Sequence, residues 1–478
     1  MRNLTMMTDL YQLTMLYGYY KNGMDARRSV FTMFFRDAPG LRYAVMAGNE
    51  QFLDYVTNLR FGEADLAYLR GLKQFDEGFL SYLKNFRFTG DIDIIPEGSV
   101  IFPGEPIVRV DAPLAQAQLI ETSLLTLVGH QSLIATKAHR VHRAAKGDRV
   151  MEFGLRRAQG PDAGVLGARA AYIGGCDSTS NVLAGQTFGI PVSGTHAHSW
   201  VMSFDSELEA FRAYAECFPN NALLLVDTYD TLLSGVPNAI RVFGELREKG
   251  RKPLGIRLDS GDLAYLSIQA RQMLDEAGFP DAIICASNDL DEYLIRDLKQ
   301  QGARIDLWGV GTKLITSNDR SAFGGVYKMN ALETGGTLMP KIKLSDNPVK
   351  VTLPGRQEVY RLYDAAGMAV ADLITLDDEE VDESKPLTIF DPQDTWKKMT
   401  LTQFTAKKLL RPLVRGGQAA GELPGLKDIR AHREKEEQSI WEQHLRLVYP
   451  TAFKVDWSDR LWQLRNDMLH ENDGREDT

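Results

Sequence analysis

The chain has 478 residues, 44% hydrophobic and 25% charged, with a formal net charge of -9. That length exceeds one ordinary core, so two domains or one large barrel with additions are expected, and the acidic balance argues against broad nucleic-acid binding while leaving room for a local phosphate pocket. No apolar stretch approaches the roughly 20 residues that cross a bilayer, and Cys176, Cys217 and Cys285 are too widely spaced for a redox pair or a zinc ribbon.

The opening stretch MRNLTMMTDLYQLTM has no sustained apolar segment before a small-residue cleavage site, so a cytoplasmic protein is expected. Residues 8–130 mix helical segments (TDLYQLTMLYGYYKNG, GNEQFLDYVTNLR, EADLAYLRGL) with short strands (RSVFTMFFR, GDIDIIPEG, EPIVRVDAP). The last two strands, bounded by Gly and Pro, predict an antiparallel pair. From Leu119 to Lys146 an apolar period near 3.6 predicts a long buried helix leading onward.

Between Arg149 and Met329 one pattern repeats: a short apolar run, then a cluster of Gly, Ser, Thr, Asp, Arg or His. The runs are VMEF, IPV, ALLLV, PLGI, AIICA, IDLWGV and GGVY. Helical segments such as DSELEAFRAYAECF, VPNAIRVFGELREKG and DLAYLSIQARQMLDEAG separate them. Buried parallel strands are nearly all apolar, and a β/α barrel gathers its working groups at the strands' C-terminal ends. The fold expected is therefore α/β: an irregular β/α barrel over residues 131–335. An N-terminal α/β domain covers 1–130, and a β-rich return with a helical tail, 336–478, packs on that domain. In the return, Asp346-Asn347-Pro348 and Pro354-Gly355 signal turns, Asp377-Asp378-Glu379-Glu380 reads as a solvated loop, and DIRAHREKEEQSIWEQHLRL reads as one charge-laced helix.

Four strand-end clusters could carry chemistry. Arg156-Arg157 could grip phosphate oxygens in a bidentate fork or form surface salt bridges. Thr195-His196-Ala197-His198 offers two imidazoles, able to act as base, metal ligand or phosphoryl acceptor, or to be structural. Arg257-Leu258-Asp259-Ser260-Gly261-Asp262 sets a cation and two carboxylates within one short turn: the acids suit ribose hydroxyls or magnesium, the Arg suits a substrate carboxylate, and the same residues could cap a helix. Gly309-Val310-Gly311-Thr312-Lys313, with Gly324-Gly325, could cradle a phosphate, although neither a Walker A loop nor a dinucleotide fingerprint is present.

Together with Thr8-Asp9-Leu10-Tyr11, Phe34-Phe35-Arg36, EFGLRRAQGPDAG, GGCDSTSNVLAG, SGTHAHSW, LLVDTYD, GIRLDSGDL, SNDLDE, WGVGTKL, GGVYKM and KLSDNPVKVTLPGR, these clusters resemble the nicotinate phosphoribosyltransferase family, in order from residue 8 to residue 356. The resemblance implies a type II phosphoribosyltransferase fold and ATP-coupled transfer of phosphoribose from 5-phosphoribosyl-1-pyrophosphate to nicotinate in NAD salvage, with Mg2+ and ATP. It places a transiently phosphorylated histidine at His198, with Thr195 and Ser199 of the same motif binding substrate. Arg257 is implied near the nicotinate carboxylate, Asp259 on the ribose with Asp262 beside it, and Arg157 on phosphate. Gly309, Gly311, Thr312, Gly324 and Gly325 are implied around the 5-phosphate. Tyr11 is implied to stack on the pyridine ring across the interface of a homodimer with shared active sites. Nicotinamide-using relatives carry an Asp directly after Gly-Thr; His196 stands there, which favours an acid substrate. The alternatives are transfer to nicotinamide or another pyridine acid, and a barrel that senses ligand without catalysis.

Overall fold

The computed structural model describes residues 3–38, 40–344 and 352–473. The chain divides into two compact units, Met1–Leu133 with Ala322–Thr478, and Ile134–Ser321. The helix Glu121–Ala145 runs from one into the other, where the apolar period predicted it.

In the first unit an antiparallel sheet has the order Thr337–Pro340, Gly325–Thr334, Arg28–Phe35, Val108–Pro113, Asp91–Ile94, Arg411–Arg415, Gln418–Ala419. Segments from both ends of the sequence thus share one sheet and one core, in which Leu16, Phe52, Phe79, Val110 and Val414 are buried together. The GGVY run, expected in the barrel, lies in this sheet instead. It opens the long strand Gly325–Thr334, which pairs antiparallel with Arg28–Phe35 and is no barrel strand. The stretch expected as one tail helix is two: the first ends at Ser439, and a short helix resumes at Glu442. Between them Ile440 turns extended and is buried in a cluster with Tyr43, Val100 and Phe102, so apolar burial overrides helical continuity. Asp346, Asn347 and Pro348 lie outside the described residues.

The second unit carries six parallel strands: β1 (Arg149–Glu152), β2 (Ser178–Thr179), β3 (Leu223–Leu225), β4 (Gly255–Leu258), β5 (Ile283–Ala286) and β6 (Leu307–Val310). Their order is β2-β1-β6-β5-β4-β3, a ring opened once between two strands consecutive in the chain. The IPV run forms no full strand; it touches β2 through one parallel bridge, Thr179 with Val192. Met151, Leu223, Cys285 and Leu307 meet in one buried cluster, so side chains fill the interior as in a packed barrel. Asp262 and Asp291 cap the helices Leu263–Glu276 and Glu292–Gln300 by accepting the N–H groups of Tyr265 and Leu294, which fixes the loops leaving β4 and β5.

Candidate active site

Alternation along a strand sends residues i and i+2 to the same face. That rule turns Arg257 on β4 and Asp259, just past its end, to the same side, and the register Leu225–Arg257–Cys285 sets Arg257 beside the neighbouring strands. Arg257 donates from Nε to Ser287 Oγ at 2.9 Å and from Nη2 to Asp259 Oδ1 at 2.8 Å, with its guanidinium 5.6 Å from the centroid of the Phe153 ring. Ser287 Oγ also donates to Asp259 Oδ1. Burial pushes the Asp259 carboxyl up, but the Ser287 hydrogen bond and the Arg257 and His198 charges outweigh it, and its pKa falls below the ordinary value.

Asp227, just beyond β3, is buried; its Oδ2 accepts from the Asp259 N–H at 2.7 Å and from Ser260 Oγ at 2.8 Å. Its Oδ1 is buried without a hydrogen-bond partner and lies 4.0 Å from His198 Nε2. That same Nε2 is 3.7 Å from Asp259 Oδ2, while His198 Nδ1 is 3.1 Å from Thr228 Oγ1. His198 opens the helix His198–Met202 and its side chain remains 38% exposed. Burial holds the neighbouring His196 imidazole neutral, its pKa lowered to about 4. His196 Nε2 instead faces the Leu225 N–H at 3.2 Å, and no group of three or more His, Cys, Asp or Glu among the described residues is arranged to hold a metal ion.

A cavity of about 360 Å³ joins Phe153, Arg156, Thr195, His198, Arg257 and Asp259. Arg157 sits on the exposed turn Leu155–Arg157, and neither it nor Arg156 has an ion-pair partner among the described residues, so both guanidinium groups are free to meet an anion. The turn is held from below by buried Glu152, which accepts from the Gly154 N–H and, at 2.6 Å, from Thr179 Oγ1.

The Thr195 hydroxyl is spent on the Leu223 carbonyl at 2.5 Å; Ser199 is exposed, its carbonyl accepting from Ser203; Asp262 is exposed and caps a helix. A Cβ at Gly309 would lie 2.6 Å from the Phe153 ring, and one at Gly311 3.3 Å from the Phe153 carbonyl, so both glycines make room for Phe153. Thr312 starts a short helix, and Lys313 pairs with Asp291 at 2.8 Å. Gly324, Gly325 and Tyr11 belong to the first unit, where Tyr11 is exposed on the helix Leu10–Lys21. Phe153, Asp227, Thr228 and Ser287 received no role from sequence, although each stands at a strand end; period two from Cys285 would have singled out Ser287.

In architecture the chain falls in the class of type II phosphoribosyltransferases. The solved nicotinate-nucleotide pyrophosphorylase from Pyrococcus furiosus is similar in fold, with TM-score 0.71 at 22% identity over 91% of this chain and 96% of that one. Family models for the nicotinate phosphoribosyltransferase N-terminal domain, the family proper and its C-terminal domain match residues 6–129, 149–366 and 356–465. The nicotinate phosphoribosyltransferase of Bacillus subtilis is 46% identical over 98% of this chain and 96% of its own length; that of Homo sapiens is 34% identical over 97% and 96%. The solved human nicotinic acid phosphoribosyltransferase has TM-score 0.86 at 33% identity, covering 96% of this chain and 99% of that one. The chain belongs to the nicotinate phosphoribosyltransferase family, and its activity is transfer of phosphoribose to nicotinate in NAD salvage.

Proposed function

We propose that the cavity at the strand ends of the second unit performs this transfer and couples it to ATP through phosphorylation of His198. The carrying observation is the pose of His198: Nδ1 lies 3.1 Å from Thr228 Oγ1, and Nε2, the atom that would take the phosphoryl group, faces Asp227 and Asp259 beside Arg257. In the transfer step the pyridine nitrogen of nicotinate bonds to the anomeric carbon of 5-phosphoribosyl-1-pyrophosphate, and the carbon–oxygen bond to pyrophosphate breaks with its electrons. Positive charge develops on the sugar and negative charge on the leaving group, so positioning and electrostatics carry the catalysis. Asp259 orients the ribose, the free Arg156 and Arg157 meet phosphate, and Arg257 receives the nicotinate carboxylate with the Phe153 ring as an apolar wall. The neutral His196 leaves no carboxylate to repel that acid.

Magnesium, implied by the family, would be held by Asp227 and Asp259, because the unpartnered buried Asp227 Oδ1 is the hard oxygen donor such an ion takes alongside water and substrate phosphates. When bound it would neutralise charge on the diphosphate. ATP phosphorylates His198 with release of ADP, and water later hydrolyses the N–P bond. A roughly 100-fold tighter grip on the sugar diphosphate by the phosphorylated form, about 2.7 kcal/mol, suffices for coupling and is within reach of two charge-assisted hydrogen bonds.

The reading includes a homodimer in which exposed Leu10 and Tyr11 of one copy complete the partner's site, with Tyr11 against the pyridine ring. A cytoplasmic setting accords with three free cysteines. No helix among the described residues is long and apolar enough to cross a membrane. The test offers nicotinate, the sugar diphosphate and Mg2+ with and without ATP to the wild type and to His198→Ala. Stimulation by ATP in the wild type and none in the variant is expected, with slow ATP-independent transfer in both; full stimulation in His198→Ala overturns the scheme.

A further inference from the structure

The ring of strands has one seam. β2 and β3 are its two edges, and the segment Ile190–Ser193 covers only the first: the Thr179 N–H bonds the Pro191 carbonyl and the Ser193 N–H bonds the Thr179 carbonyl, each at 3.0 Å. On the other edge, the Val226 N–H bonds the Arg257 carbonyl, so the even residues of β3 face β4. Leu223 and Leu225 therefore turn their peptide groups to the seam. Among the described residues no backbone group answers them; two side chains do. Thr195 Oγ1 donates to the Leu223 carbonyl at 2.5 Å, and His196 Nε2 accepts from the Leu225 N–H at 3.2 Å. Tyr214 presses edge-on against the His196 ring, with centroids 4.7 Å apart at 63°.

We propose that Thr195 and His196 are positioning residues: their side chains replace the missing rung between the segment after Val192 and β3, and this closure sets the backbone that presents His198 to Thr228, Asp227 and Asp259. The donor and acceptor are matched to the strand edge, which offers a carbonyl at Leu223 and an N–H at Leu225. His196 can accept only as the neutral Nδ1–H tautomer, and burial behind Tyr214 keeps it neutral. His198 follows two residues later at the start of its helix, so loss of either bond frees the turn that aims its ring. The assignment gives Thr195 a task other than touching substrate. It rests on the reading of His198 as the working histidine, but it is tested apart from phosphorylation.

The experiment uses the full chain with 15N-labelled histidine, comparing wild type, Thr195→Val and Thr195→Ser. In the wild type near neutral pH, His196 is expected as the Nδ1–H tautomer with Nε2 accepting; an Nε2–H tautomer or a protonated ring overturns the proposal before any variant is made. Thr195→Val is expected to move the His198 ring resonances and lower kcat about tenfold or more, with both KM values within about twofold. Thr195→Ser, which keeps the hydroxyl, is expected to restore most of that loss. A raised KM with kcat intact would make Thr195 a substrate contact and overturn the latch, as would unmoved His198 resonances or equal impairment in the two variants. Failure of ATP coupling in the His198 variant bears on the phosphorylation scheme and leaves these readouts intact.

Discussion

Two arginines in this protein are each held by carboxylate, and they do opposite work. In the first unit Arg361 is fully buried; it grips Asp372 through two bonds of 2.8 Å, reaches Glu436 at 3.1 Å and lies 5.2 Å and 5.8 Å from the centroids of the Phe102 and Phe453 rings, which stack on each other. Every side of that cation is answered by protein. In the second unit Arg257 has a similar partner in Asp259, yet their side chains are 14% and 27% exposed, and Asp227 Oδ1 beside them is left without a hydrogen bond. The difference is closure. A buried cluster whose members satisfy one another holds a fold, whereas one left open on a single face at the end of a barrel strand is poised for ligand.

Breaking the closed cluster should have the largest effect. Arg361→Met leaves Asp372 buried without its cation and Glu436 with only Lys407, 3.8 Å away, and a loss of about 3–5 kcal/mol is expected in denaturant unfolding. The open cluster should respond in binding: Arg257→Ala is expected to raise the nicotinate KM by about 10- to 100-fold, the worth of a charge-assisted contact, with a smaller change for the sugar diphosphate. Equal changes in both would deny Arg257 its choice of the carboxylate. Asp227→Asn should leave unfolding nearly unchanged while weakening magnesium-dependent turnover about tenfold or more; a purely structural Asp227 would show the reverse in the same two measurements.

The smallest effect should be a pH dependence at Glu105, buried beside Asp372. Burial first, then the Asp372 charge, pushes the Glu105 pKa well above its ordinary value. A raised folded pKa gives stability that is complete below the unfolded pKa and lost as pH rises toward the folded one. Glu105→Gln should therefore raise Tm at pH 8 relative to wild type and make little difference at pH 4. A gain confined to low pH would contradict the sign.

The second unit was largely legible because its strands are buried on both faces: VMEF, ALLLV, AIICA and IDLWGV mark β1, β3, β5 and β6 as apolar runs. GGVY reads the same way but pairs with Arg28–Phe35, and an apolar run does not say which distant strand will meet it. IPV has the composition of a strand but lacks a backbone partner on its far side, since Thr195 and His196 take that edge with side chains. Within the site, Arg257 on β4 and Asp259 just past its end stand two apart, so period two alone brings them together. Asp227 escaped because the groups that orient it, the Asp259 N–H and the Ser260 hydroxyl, come from the next strand. Gly309 reads as a phosphate contact from its strand-end setting, but the need for a glycine there also comes from Phe153 of another segment, which sequence order does not reveal.

The central claim, an open strand-end cluster built around a phosphorylatable His198, is met most directly by incubating the full chain with ATP labelled at the γ-phosphate and mapping the acid-labile label to a residue. The account predicts label on His198, discharged on adding nicotinate and the sugar diphosphate and absent from His198→Ala. Label on another residue, or label on His198 that persists through turnover, would contradict it.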